Sequence, residues 1–134
     1  MNRPKLFVIS APSGGGKTTI VKAVLLRHPE FEFSVSATTR PRRATEEEGK
    51  DYFFLAKTEF ERLLKEDALA EHEEIYGNYY GTLKREIRRA LNAGKCMVFD
   101  VDVKGGLSIK KLYGSDAVLM AIRICVTREL PYCR

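Results

Sequence analysis

Three glycines, a lysine and two threonines, GGGKTT at residues 14–19, follow directly on the apolar run KLFVIS and the short lead Ala11, Pro12, Ser13. Gly14, Gly15 and Gly16 permit backbone conformations closed to other residues, so successive N–H groups can turn inward onto phosphate oxygens. Lys17 would carry positive charge to the outer phosphates and Thr18 would offer its hydroxyl to Mg²⁺. Thr19 continues into a helix whose positive end favours the same anion. The strict phosphate-loop pattern is Gly, four free residues, then Gly-Lys-Ser/Thr; Ala11 takes the first place here, and alanine is small enough to serve. The bland alternative is a glycine-rich turn with an incidental lysine, but the strand before it and the helix after it are the context a phosphate cradle requires. Asp100, which closes the apolar run CMVF, is the natural carboxylate on a second strand to hold the metal through water, with Thr18 as its partner.

These side chains need a scaffold, and the chain alternates between strand and helix patterns. KLFVIS reads as a strand, and residues 17–28 as a helix with Ile20, Val21, Val24 and Leu25 inward. FEFSVSA reads as a strand with Phe31, Phe33 and Val35 on one side, and residues 38–50, with four basic residues and three consecutive glutamates, as an exposed loop. Glu46, Glu47 and Glu48 read there as surface charges. DYFFL predicts a strand, and TEFERLLKED a helix started by a reciprocal Thr58–Glu61 capping box. LAEHEEIYGNYYGT is ambiguous between classes, and Asn78 and Tyr79 within it suit a turn or packing as well as a functional role. LKREIRRALNAG predicts a helix stopped by Gly94, CMVFDVD a buried strand, VKGGLSIKKLYG a helix and AVLMAIRICV a last strand. The whole predicts an α/β fold with a parallel sheet.

Composition narrows the partners. The 134 residues are 44% hydrophobic and 31% charged, as expected of one globular core with at most one attached subdomain. The net charge of +5 favours anionic partners. Nucleotide phosphate is sufficient as the anion, and the charge comes with no nucleic-acid-binding module. No apolar run approaches a membrane span, and the apolar stretch after the basic N-terminus is short for a secretory signal. Cys96, Cys125 and Cys133 lack metal-type spacing and are odd in number, which fits a reducing cytoplasm. His28 and His72 stand without a ligand set and read as structural or surface residues.

With APSGGGKTT in place, the further stretches SVSATTRPRR, GKDYFF, EIYGNYYGT and VFDVDVKGG resemble guanylate kinase from residue 5 to about 122. The resemblance implies a P-loop NTPase core of three layers, residues 1–35 and 85–126, with a mixed α/β GMP-binding subdomain inserted at residues 36–84. It implies ATP and GMP as substrates, with Mg²⁺. The GMP phosphate would be held by Ser36, Arg40, Arg43, Tyr52 and Tyr80, with Lys17, Arg40 and Arg43 neutralising charge during transfer. Arginine forks and phenol hydroxyls suit a tetrahedral anion. Glu71 would accept from guanine N1–H and the exocyclic amine, which adenine's edge cannot match. Thr82 would supply a hydroxyl to the base, and Asp102 would lie near the nucleoside.

Two other readings stay open: a guanylate-kinase-like module that binds nucleotide or protein without catalysis, and a P-loop kinase for another phosphorylated acceptor. Presence of Gly16, Lys17, Thr18 and Asp100 argues against the first, and Glu71 with Thr82 against the second. After residue 122 the resemblance weakens, and residues 127–134 form an atypical tail. The family continues through a lid helix carrying arginines and through helices that cover the sheet; RICVTRELPYCR matches neither, and Arg123, Arg128 and Arg134 take no lid role on this spacing. Loss of a charge-neutralising arginine costs on the order of 10³ to 10⁵ in phosphoryl-transfer rate. The expectation is therefore weak turnover, nucleotide binding that outlasts it, and self-association through an uncovered sheet face.

Overall fold

In the computed structural model, residues 5–10 and 17–121 are described. In chain order the elements are β1 (Leu6–Ser10), α1 (Lys17–Arg27), β2 (Phe31–Phe33), β3 (Ala37–Thr38), β4 (Phe53–Phe54), α2 (Lys57–Lys65), β5 (Leu69–Ile75), β6 (Asn78–Leu83), α3 (Lys84–Asn92), β7 (Cys96–Asp100), α4 (Val103–Tyr113) and β8 (Ala117–Ala121), with a 3₁₀ turn at Gly114–Asp116.

Four strands form a parallel sheet in the order β2-β7-β1-β8. Side chains alternate across it with period two. Leu6, Val8, Met97, Phe99 and Ala117 share a buried cluster with Ile87 and Ala90 of α3 and Ile109 of α4. On the opposite face Ile9 and Val98 meet Val21 of α1, with Leu25 and Phe31 packed beside them. A Cβ placed on Gly106 would lie 2.6 Å from Leu119 Cδ1 and 3.0 Å from Val8 Cγ1, so α4 rides close on β1 and β8. From β1 the chain crosses to β2 on one side, and from β7 it returns to β8 on the other. The carboxyl ends of β1 and β7 therefore frame the crevice where such sheets bind ligands.

A second sheet, order β4-β3-β6-β5, is mixed: β3 pairs β4 in parallel, and β6 runs antiparallel to both β3 and β5. Phe60 and Leu63 of α2 close its core with Ala37, Leu69 and Leu83, and the Phe60 ring stacks on Tyr79 with centroids 5.2 Å apart. Alternation along β5 sends Leu69 into this cluster and Ala70 into the core of the parallel sheet. That strand thereby joins the two halves.

Several local expectations change. FEFSVSA is not one strand: Phe31–Phe33 pairs with β7, and Ala37–Thr38 joins the other sheet, because Ser34 is held by its N–H on the Val98 carbonyl while Phe53 N–H bonds the Ser36 carbonyl. Phe33 is consequently exposed. Within DYFFL only Phe53–Phe54 is a strand. The Thr58–Glu61 capping box is not formed; α2 begins at Lys57 after Ala56, whose carbonyl accepts Phe60 N–H. Burial of Phe60 and Leu63 outweighs a cap of about 1 kcal/mol. Ile20 is exposed, although Val21 is buried as expected. The ambiguous stretch is the β5–β6 hairpin, turned by Tyr76 and Gly77, both at positive φ. Gly94, also at positive φ, follows α3 at the position expected for its stop.

Candidate active site

Asp100 ends β7 opposite Ile9, one residue short of the end of β1, so its carboxylate stands at the edge from which the glycine-rich segment departs. Residues 11–16 and the side chains of Lys17 and Thr18 lie outside the described residues; the backbone of Lys17 opens α1, and Thr19 is exposed on it. An exposed carboxylate at this edge is a hard oxygen donor of the kind Mg²⁺ takes singly, alongside water and substrate phosphates. The donor chemistry of Asp100 fits an ion of that kind.

Beside this edge a cavity of about 340 Å³ opens between the two sheets. Ser36, Tyr52, Glu71, Tyr80 and Asp100 line it, drawn from β5, β6, β7 and the connections around β3 and β4. Thr82 stands behind them, buried, and donates its hydroxyl to Glu71 Oε1 at 2.8 Å. Burial pushes the Glu71 carboxyl up to about 7; the Thr82 hydrogen bond opposes this, and the charges of Glu73 and Asp102 add to it. Glu73 is raised as well, by burial and by Asp102. This end of the cavity is therefore a crowded set of carboxylates that favours a ligand bringing N–H donors.

Asp102 has a structural duty that its sequence position did not disclose. Its Oδ1 accepts Gly105 N–H at 2.7 Å and caps α4. The same turn sits against Glu71, since a Cβ on Gly105 would come within 3.3 Å of Glu71 Oε2. Asp102 is thus near the Glu71 end of the cavity without lining it.

The opposite end is aromatic, lined by Tyr52 and Tyr80, with a basic residue beside it. Arg40 lies with its guanidinium carbon 5.3 Å from the Tyr52 ring centroid and 5.9 Å from that of Phe54. Tyr52 in turn packs edge-on to Tyr80. Arg43 is exposed in the same loop, and neither Arg40 nor Arg43 is among the cavity's lining residues. Glu46 overturns its reading as a surface charge: it accepts two hydrogen bonds from Arg40, and both side chains of the pair are only 14% exposed. Glu48 is also engaged, accepting Phe54 N–H at 3.0 Å. Glu73 and Ile75 line the cavity too and were missed, because on β5 they read as part of a charged hairpin with no distinguishing spacing.

A family model for guanylate kinase matches residues 3–128. The guanylate kinase of Chlorobaculum tepidum is 46% identical over 130 residues, 97% of this chain and 67% of the relative. That of Chlorobium chlorochromatii is 49% identical over 119 residues, covering 89% and 63%. A crystal structure of guanylate kinase from Anaplasma phagocytophilum superposes with a TM-score of 0.70 at 28% identity, covering 90% of this chain and 60% of that one. The chain spans 60% to 67% of the length of these relatives. On motif order, fold and these likenesses together, the chain belongs to the guanylate kinase family.

Proposed function

We propose that this chain binds GMP in the cavity between its sheets and serves phosphoryl transfer from ATP to GMP, giving ADP and GDP. The observation that carries the reading is one cavity with N–H acceptors at one end, Glu71 backed by Thr82, and the phenols of Tyr52 and Tyr80 at the other, with the Arg40 guanidinium against the Tyr52 ring just outside the lining. Guanine fits the first end and a phosphate monoester the second. A GMP phosphate oxygen would attack the γ-phosphorus of ATP in line, forming the new P–O bond as the bond to the β–γ bridging oxygen breaks and ADP leaves with that electron pair. The nucleophile is already anionic, so the residues' work is alignment and neutralisation of charge by Lys17, Arg40 and Arg43. Mg²⁺, when bound with Thr18 and Asp100, supplies further neutralisation of the phosphates. The residues from Ala11 to Thr19 would hold ATP. Closing the second sheet toward the core would exclude water from the transfer. A reducing cytoplasmic setting belongs to the same reading, supported by the uneven cysteine count.

Calorimetric titration with GMP and AMP, alongside a coupled assay of ADP release, tests it. GMP should bind at least ten-fold more tightly than AMP, and Glu71→Gln should erase most of that preference. Equal binding of the two nucleotides by folded protein would overturn the assignment. GMP-dependent ADP release establishes the transfer; its absence, with GMP bound and ATP present, would confine the chain to binding.

A further inference from the structure

Strand β3 is only two residues long, and the chain leaves it for the arginine loop through Thr39. Its last regular rung sets Thr38 opposite Tyr80. At the next rung Thr39 N–H bonds the Tyr79 carbonyl at 3.0 Å, but Tyr79 N–H bonds the Thr39 hydroxyl at 2.9 Å. In an unbroken antiparallel ladder two residues so opposed exchange both N–H···O=C bonds. A hydroxyl here stands in for one carbonyl, and the backbone is released to turn toward Arg40.

Thr38 is fully buried, and its hydroxyl is used twice. It donates to the Tyr79 carbonyl at 2.9 Å and accepts Arg40 N–H at 3.1 Å. The second bond, onto the N–H two residues along, is a local turn that competes with the ladder. Pro41, which follows Arg40, has no N–H with which to resume it. The Tyr79 carbonyl belongs to the planar peptide group that leads into Tyr80. One buried hydroxyl thus joins the backbone of Arg40 to the backbone that presents Tyr80.

That peptide is well anchored, because the Tyr79 ring stacks on buried Phe60. The side chains leaving the two tied backbones meet: Glu46 first, and then Tyr80, hydrogen-bond the Arg40 guanidinium and raise its pKa. The same guanidinium lies against the Tyr52 ring, and Tyr52 and Tyr80 line the aromatic end of the cavity.

Resting on the reading of the cavity as a GMP site, we propose that Thr38, seconded by Thr39, is a positioning residue for the acceptor phosphate: the two hydroxyls tie the start of the arginine loop to Tyr79 and so hold the Arg40 guanidinium beside the phenols of Tyr52 and Tyr80. Thr38 is absent from the cavity's lining and acts through Arg40. Its influence falls on the phosphate end, since Glu71 and Thr82 are set by the register of β5 on β6.

The test compares Thr38→Val, which keeps the branched shape without the hydroxyl, with Thr38→Ser, which keeps the hydroxyl. Affinities for GMP, ATP and the phosphate-free nucleoside guanosine are measured, the last by ligand-observed NMR, together with thermal melting. Thr38→Val should weaken GMP about ten-fold through two lost hydrogen bonds, with guanosine and ATP changed less than two-fold, and Thr38→Ser should stay within about three-fold of wild type. Native GMP affinity in Thr38→Val, a parallel loss of guanosine or ATP, or equal impairment in Thr38→Ser would each overturn the proposal. Should Thr38→Val melt below the assay temperature, Thr39→Val carries the test: a loss confined to GMP supports the tie, and a uniform loss or none defeats it. A wild-type chain that binds GMP no better than AMP or guanosine would instead defeat the reading of the cavity itself.

Discussion

Glu71 and Thr82 face one another in register across β5 and β6, and the threonine hydroxyl donates to the carboxylate at 2.8 Å. Adjacent strands fix both backbones, so the carboxylate is oriented before any ligand arrives. Its position is also electrostatically uncomfortable, buried beside Glu73 and Asp102.

That discomfort has a pH signature. The folded Glu71 titrates at about 7 against an ordinary 4.5, so between those values the folded state keeps a proton that the unfolded state has lost. This group's contribution to stability is therefore greatest below pH 4.5 and declines as pH rises to 7, by at most about 3 kcal/mol. Urea denaturation of wild type and Glu71→Gln at pH 5 and 8 should show this decline only in the wild type. GMP affinity should run the other way, rising with pH as Glu71 ionises. The ratio of wild type to Glu71→Gln, taken at each pH, removes the titration of the nucleotide phosphate.

Asp102 caps α4 and also adjoins Glu71, and two substitutions separate these roles. Asp102→Ala should cost about 1 kcal/mol by removing the acceptor for Gly105 N–H, whereas Asp102→Asn keeps a good cap and should leave the melting midpoint nearly unchanged. If Asp102→Asn also weakens GMP in calorimetry, the carboxylate serves the ligand directly; unaltered affinity confines it to the helix.

Gly106 lets α4 lie close on the sheet. Gly106→Ala places a methyl 2.6 Å from Leu119 Cδ1 and 3.0 Å from Val8 Cγ1. Overpacking of about 1–3 kcal/mol should outweigh the roughly 1 kcal/mol that alanine gains in helix propensity. A lowered melting midpoint is expected; a raised one would show that Leu119 can swing aside.

Phe60 is fully buried and anchors the core of the second sheet. Phe60→Ala should destabilise by about 3–5 kcal/mol and remove the stacking partner of Tyr79. Hydrogen exchange read strand by strand should show protection lost in β3 and β6 and largely kept in β1 and β7. Uniform loss across all four strands would mean that the two cores unfold as one.

Much of the expected site rests on residue type and short spacing: the paired arginines and the carboxylate at the end of an apolar strand are local signals, as are the glycines and the Lys17 side chain, which lie outside the described residues. Strand-helix alternation was legible for the same reason, since period two and period 3.6 are properties of a few consecutive residues. Glu46 was not: three consecutive glutamates look alike until the loop's return brings only one of them against Arg40.

The split of residues 31–38 between two sheets has the same origin. Phe31–Phe33 and Ala37–Thr38 share a β-rich composition, and which sheet each joins depends on partners more than forty residues away in the chain, β7 for one and β6 for the other. Sequence alone determined the family and the succession of elements, because these reside in local residue identity. Tertiary structure decided which strand joined which sheet, the joining of Glu71 to Thr82 and of Arg40 to Glu46, and the ionisation of Glu71, because pairing and desolvation exist only once distant segments are packed together.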